Sequence, residues 1–169
     1  MADPEGRLLE FEPFFEREYP RLARALYLVA GDPVEAEDLA QEAMVRVYER
    51  WEHVRNTDSP AGYLYRTALN LHRSRLRRLA VRTRRAIGLR PEPPADPAVE
   101  AEVRDEVDRA LAALPDGQRE AVVLVEWVGL SAEEAGRVLG IEAVSVRVRL
   151  SRARATLRTA MEERNDERP

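Results

Sequence analysis

Residues 86–97, near the middle of this chain, contain four prolines and one glycine. Proline lacks a backbone donor and clashes with the preceding helical turn, so no regular helix passes through such a run. No alternation of apolar and polar residues offers a strand in its place. The run therefore reads as an extended linker, and it predicts two separate domains, 1–85 and 98–169. Each is small, but large enough for helices to pack around a core.

The periodicity on either side is helical, and the fold class it predicts is all-α. A first helix is expected from about Leu8 to Ala30, with Phe11, Phe14, Phe15, Leu22, Leu26 and Val29 on its apolar side. Pro13 and Pro20 should start, interrupt or kink it, and Gly31 should end it. Asp32 can cap the next helix, Pro33 suits its first position, and Glu35 would complete a capping box. At about 100° per residue, Ala36, Leu39, Ala40, Ala43, Met44, Val47 and Trp51 share one side of that helix. Glu35, Asp38, Gln41, Glu42 and Glu49 hold the other, with Val45 among them. A loop is expected from Glu52 to Asp58, then a third helix capped by Ser59 and running through an arginine-rich stretch.

Beyond the linker, Val99, Val103, Val107, Leu111 and Leu114 mark a helix ended by Pro115, and another is expected from Pro115 to Val128. Ser131 and Glu134 form a capping box that opens a short helix closed by Gly140. A last helix should span about Glu142 to Met161. Val146, Leu150, Ala153 and Leu157 fall on one stripe of it, and Val144, Arg147, Val148, Ser151, Arg152 and Ala155 lie away from that stripe. Val144 to Leu150 also alternates apolar and polar as a strand would, but the helix-forming residues after it favour helix.

The net charge of −4 hides a strong partition. All 27 basic residues are arginine. Residues 66–90 carry nine arginines and no acid, and residues 137–158 carry six arginines and one acid, Glu142. The segments before, between and after them are net acidic. Two basic blocks in an acidic chain predict two phosphate-facing surfaces, with acidic faces left for a different partner.

Each block has a shape suited to nucleic acid. A capped two-turn helix, a glycine turn and a long basic helix make a helix-turn-helix, whose second helix enters the major groove. Arginine offers a planar fork to guanine edges, and small or methyl-bearing residues allow close approach. In the first half, Tyr63 and Tyr65 precede the arginines, as in surfaces that stack bases and hold the strand by charge. Either tyrosine also suits a helical core. Val45, exposed among carboxylates, marks a protein-binding face.

Several chemistries are excluded. Without cysteine there is neither disulfide nor thiolate metal site. His53 and His72, the only histidines, lack partners at metal-ligand spacing. No phosphate-cradling glycine loop occurs, and no apolar run is long enough to span a bilayer. The expectation is a non-enzyme with no cofactor and no metal. Glu5, Glu10 and Glu12 break the order of a signal peptide, so a cytoplasmic protein is expected. A free-standing helix-turn-helix regulator, or an RNA-binding adaptor using the tyrosine–arginine segment, also fits these features.

In order along the chain, residues 31–51 (GDPVEAEDLAQEAMVRVYERW), 61–70 (AGYLYRTALN), 112–121 (AALPDGQREA), 129–141 (GLSAEEAGRVLGI) and 151–158 (SRARATLR) resemble the extracytoplasmic-function (ECF) branch of the sigma-70 family. The resemblance runs from about Phe11 to Met161. It implies a transcription initiation factor whose partners are core RNA polymerase and promoter DNA, with an anti-sigma factor as a further partner and no appended sensory domain. It implies that Asp38, Gln41 and Glu42, with Val45 beside them, meet the polymerase clamp helices. The loop holding Arg55 and Asn56 would receive a flipped base of the minus-ten element, and Tyr63, Arg66, Asn70, Arg73 and Arg77 would hold the strand. Ser145, Arg147, Val148, Ser151, Arg152 and Arg154 would lie on the helix that reads the minus-thirty-five element. Val144 and Val148 stand where the family more often has glycine and serine, and Glu142 places an acid at the mouth of that helix.

Overall fold

Asp32 sets the first fixed point of the fold. Its carboxylate accepts from the backbone N–H groups of Val34 (2.8 Å) and Glu35 (3.0 Å), satisfying donors that a helix start leaves orphaned. Glu35 does not close the expected capping box: its carboxylate meets Nδ1 of His72 at 3.2 Å. The computed structural model describes residues 4–85 and 106–166, so the predicted linker, 86–97, and the positions of Val99 and Val103 lie outside the described residues.

The first half comprises α1 (Pro4–Ala30), α2 (Pro33–Glu49), the single turn α3 (Trp51–Val54) and α4 (Pro60–Arg85). Helix α1 is continuous through Pro13 and Pro20, so neither proline starts or interrupts it. Each proline deprives the carbonyl four residues earlier, of Leu9 and Glu16, of its helical partner, and both of those residues are exposed. Phe15, expected in the core, is 38% exposed and stacks on Tyr19, with ring centroids 4.9 Å apart.

Helix α2 packs against α1 and α4, and all seven residues assigned to its apolar side are buried. Trp51 meets Phe11 edge-on at 5.2 Å and Phe14 at 5.0 Å, the spacing at which aromatic quadrupoles attract. The predicted loop after α2 is partly helical because Val54 is driven fully into this core. Of the two tyrosines on α4, Tyr65 is 2% exposed and Tyr63 half-buried, so core and surface each take one. Burial, reinforced by the Glu18 carboxylate, pushes the Tyr65 phenol up to about 12.

The second half holds α5 (Glu106–Ala112), α6 (Asp116–Val122), a π-helical turn (Val123–Trp127), α7 (Ala132–Leu139) and α8 (Ala143–Asp166). One helix was expected from Pro115 to Val128. Its end widens instead, and Val128 N–H donates to the Val123 carbonyl at 3.0 Å. Ser131 and Glu134 form the predicted capping box (3.1 and 2.7 Å), and Gly140 ends α7 in the left-handed conformation at φ 70°. Val146 and Ala153 are fully buried and Leu150 nearly so. The alternation from Val144 to Leu150 is helical throughout.

The halves touch. Helix α4 packs on α7, and α1 reaches α5, α6 and the π-turn. Arg119 is one tie: its guanidinium donates to the carbonyls of Leu111, Ala112 and Leu114 in its own half, and across to that of Val29 at 2.9 Å. Among the described residues no helix is long and apolar enough to cross a membrane.

Candidate nucleic-acid and polymerase interface

Helical arithmetic separates the α4 residues into two faces. From Tyr63, residues Thr67, Asn70, Ser74 and Arg77 follow at steps of four, three, four and three, which keeps them in one row. They line a groove of about 630 Å³ whose opposite wall is Arg46 of α2 and Arg50 just after it, with Arg78 also lining the groove. An aromatic ring, an amide, two hydroxyls and four guanidiniums thus face one channel, with the carboxylate of Glu49 among them. The Tyr63 hydroxyl accepts weakly from Arg50 at 3.5 Å, and the ring stands edge-on to His53.

Tyr63, Asn70 and Arg77 of the predicted strand-binding set are therefore brought together, Tyr63 also lines a second cleft with Arg66, and Arg55, Asn56 and Arg73 line neither. Arg66 is exposed and opens onto that second cleft with Gly62, Glu134, Arg137 and Val138. Arg73 turns to the second half and grips Glu120, Nε to Oε1 at 3.0 Å and Nη2 to Oε2 at 2.5 Å. That bidentate contact raises the already high guanidinium pKa further. Arg55 pairs with Glu10 of α1 and with Glu52, while the Asn56 amide donates to the Glu52 carbonyl at 2.7 Å. Those two side chains fasten the turn after α3. Arg46, Arg50, Thr67, Ser74 and Arg78 were missed. Thr67 and Ser74 were legible from the α4 row, but nothing in the sequence brings the end of α2 opposite it.

The acidic face of α2 is exposed at Asp38 and Gln41, with Val45 55% exposed. Val34, four residues before Asp38 and 70% exposed, extends the same face. Glu42 is engaged: Arg75 of α4 (2.9 Å) and Arg46 (2.8 Å) donate to its two oxygens and hold its carboxyl below the usual range. The face is thus less acidic than its sequence, and its apolar flank is larger.

On α8 the outward set is Val144 (62% exposed), Arg147, Val148 (43%), Ser151, Arg152 and Arg154, with Ser145 half-buried. Arg147 pairs with Glu133 of α7, and Arg154 with Glu126 of the π-turn. Both are surface pairs that a stronger acceptor displaces at little cost. The close seat of α7 against the turn before α8 needs Gly136, where an added Cβ would stand 2.7 Å from the Ile141 carbonyl. The helix-turn-helix is thereby a rigid unit presenting arginine, hydroxyl and methyl groups. Among the described residues no cluster of histidine and carboxylates could hold a metal ion.

Residues 14–82 match the family described as Sigma-70 region 2, and residues 104–157 match Sigma-70, region 4. The chain belongs to the sigma-70 family. It is an ECF sigma factor, a transcription initiation factor. It is 34% identical over 165 residues to an RNA polymerase sigma-E factor of Streptomyces avermitilis, covering 95% of this chain and 89% of that one. It is 32% identical to the ECF RNA polymerase sigma factor SigM of Mycobacterium tuberculosis, over 90% and 77% of the two chains. Among solved structures, the fold is similar to the sigma factor RpoE of Bartonella quintana, crystallised with the anti-sigma factor NepR. There the TM-score is 0.76 at 23% identity, covering 90% of this chain and 97% of that one. It is also similar to CnrH, solved with the cytosolic domain of CnrY (TM-score 0.67, 26% identity, 95% and 92% covered).

Proposed function

We propose that this sigma factor docks on core RNA polymerase through the α2 face of Val34, Asp38, Gln41 and Val45 and reads promoter DNA with two separate surfaces. The α4 groove takes the minus-ten strand: Tyr63 offers a ring for a base, Asn70 an amide for a base edge, and Arg46, Arg50, Arg77 and Arg78 neutralise phosphates. Arg66 is exposed on the neighbouring cleft, whereas Arg73, Arg55 and Asn56 reach the strand only by changing the contacts they hold in the free chain. Helix α8 enters the major groove of the minus-thirty-five element with Ser145, Arg147, Val148, Ser151, Arg152 and Arg154.

The observation that carries this reading is the joint presence of the groove and the exposed α8 face on a chain of this family. The interval 83–103, unmatched by either family region, supports the division into 1–85, a linker at 86–97, and 98–169. The protein performs no chemistry of its own, needs no cofactor and works in the cytoplasm, where polymerase works. The similar sigma factor RpoE, solved with the anti-sigma factor NepR, supports a similar partner here.

Run-off transcription with core polymerase, from the gene's own upstream region, is the test. Product only when this protein is present is expected, and its absence across several candidate promoters rejects the assignment. For the docking face, Asp38→Arg with Gln41→Ala is the cleaner probe, because charge reversal at Glu42 would also break its pairs with Arg46 and Arg75. The double variant should fold normally and fail to co-purify with core.

A further inference from the structure

Two arginines on the outward face of α8 are held by carboxylates that come from other elements. Arg147 donates through Nη2 to Glu133 of α7, and Arg154 through Nη2 to Glu126 of the π-turn at 2.8 Å. Arg154 follows Arg147 by seven positions, which puts both on one edge of the helix, about 10 Å apart at 1.5 Å per residue. Arg152 lies about 140° around the helix from Arg147 at about 100° per residue, on the other edge, and meets no carboxylate among the described residues. One edge of the face is braced and the other is free. All four side chains of the two pairs are more than half exposed, and exposed pairs add little to stability, so the fold does not explain them. We propose that Glu133 and Glu126 are positioning residues that make the Arg147–Arg154 edge of α8 select a base edge over a phosphate.

In the major groove guanine presents two neutral acceptors, O6 and N7, whereas a phosphate carries a full negative charge. A carboxylate beside the guanidinium repels the phosphate and leaves the base edge unopposed. It also fixes where the arginine fork points. Each carboxylate takes one nitrogen, and a guanidinium carries five N–H groups, so donors remain for a base. Glu133 is itself anchored. Its carboxylate accepts from its own backbone N–H at the start of α7 and, with Arg147 beside it, is held below the usual carboxylate range. The charge therefore stays near Arg147 even when another acceptor takes the guanidinium. The close seat of α7 against the turn before α8, which Gly136 permits, sets where that charge stands relative to the reading helix. Helix α7 keeps its cap whatever occupies position 133, because the capping box uses Ser131 and Glu134.

The proposal rests on the reading of α8 as the major-groove helix, and the experiment separates the two. Holoenzyme formed with core polymerase is bound to duplexes of the gene's own upstream region. One set carries single-base changes in the minus-thirty-five element, and another has that element replaced by unrelated sequence. Core is common to every arm, so differences belong to the sigma factor. Arg147→Ala locates the base position that this residue reads. There Glu133→Gln should reduce the preference about threefold or more, part of the roughly 5- to 100-fold that a bidentate contact supplies. The position that Arg152→Ala flattens should keep its preference. On the unrelated duplex Glu133→Gln should bind tighter, with a log–log salt slope steeper by up to about 0.9, one more phosphate contact. Adding Glu126→Gln should carry both changes further. Glu12→Gln, which removes an exposed acid of α1, should change neither. Base preference at the parent level in the double variant overturns the proposal, whether or not binding tightens, and so do changes of equal size in Glu12→Gln. Unchanged base preference in Arg147→Ala overturns the reading of α8 at that residue, and the proposal with it.

Discussion

Helices α4 and α8 are the two arginine-rich helices of this sigma factor, 26 and 24 residues long, each with one buried stripe. They treat their charges differently. On α4, Arg73 and Arg75 are committed to carboxylates from other helices, and one of those, Glu120, is almost fully buried. On α8, Arg147 and Arg154 pair only with carboxylates that are themselves more than half exposed. A basic helix between two packed layers lends some of its charge to the fold, whereas one on the outermost layer keeps its charge available. The same residue type thus has a structural use in one helix and stays exposed to solvent in the other.

The comparison breaks most visibly if the two buried stripes are hollowed out. Leu64→Ala on α4 and Leu150→Ala on α8 remove side chains that are fully and nearly fully buried. Each should cost about 2–5 kcal/mol, with Leu64 toward the upper end. Urea unfolding followed by helical circular dichroism should show one transition moved by either variant, since the halves are tied through Arg119 and Arg73. Two transitions, each moved by its own variant, would mean that the halves fold independently.

A smaller effect is expected at the hinge of the reading helix. Gly136→Ala forces a methyl against the Ile141 carbonyl, a backbone atom that cannot swing away. A loss of about 1–3 kcal/mol should accompany the displacement of α8, read as lower thermal stability together with weaker binding of minus-thirty-five duplex. A stable variant that binds normally would show that the turn is looser than its geometry.

Next in size are the α8 arginines themselves. Arg152→Ala should flatten base preference at one or two positions, by about 1–3 kcal/mol per lost bidentate contact. Arg158→Ala, toward the helix end, should weaken all sequences alike. Binding to a panel of single-base duplex variants distinguishes them, and identical behaviour would reduce α8 to an electrostatic anchor.

The smallest expected effect is on the acid limb of stability. Hydrogen bonding from Arg75, aided by Arg46, lowers the Glu42 pKa from its ordinary 4.5. A lowered folded pKa means that the pair stabilises fully above 4.5 and fades as pH falls through the lower folded value. Melting temperature should therefore drop less steeply below pH 4.5 in Glu42→Gln than in the parent. Because Glu42 is 38% exposed, the difference should be modest. Parallel acid limbs would show that the pair carries no net stability.

The helices, their caps at Asp32, Ser59 and Ser131, the core stripes of α2 and α8, and the helix-turn-helix were legible in the sequence. Each depends on residues within a turn or two of one another, where periodicity and capping chemistry act directly. What misled were local rules that the tertiary structure overrode. Pro13 and Pro20 did not interrupt α1, and Val54 turned part of a predicted loop into helix by being buried. The π-turn at 123–127 has no sequence signature of its own.

By itself the sequence determined that this chain is helical, that its charge is concentrated in two arginine blocks, and which residues of α8 face outward. Only the tertiary structure decided which arginines are free. That Arg73 meets Glu120, 47 positions later, that Glu42 is shared by Arg46 and Arg75, and that Arg46 and Arg50 wall the α4 groove follow from how helices cross. A periodic pattern fixes the face on which a side chain lies but carries no information about which distant face is brought against it, and for a charged group that partner decides between fold and function.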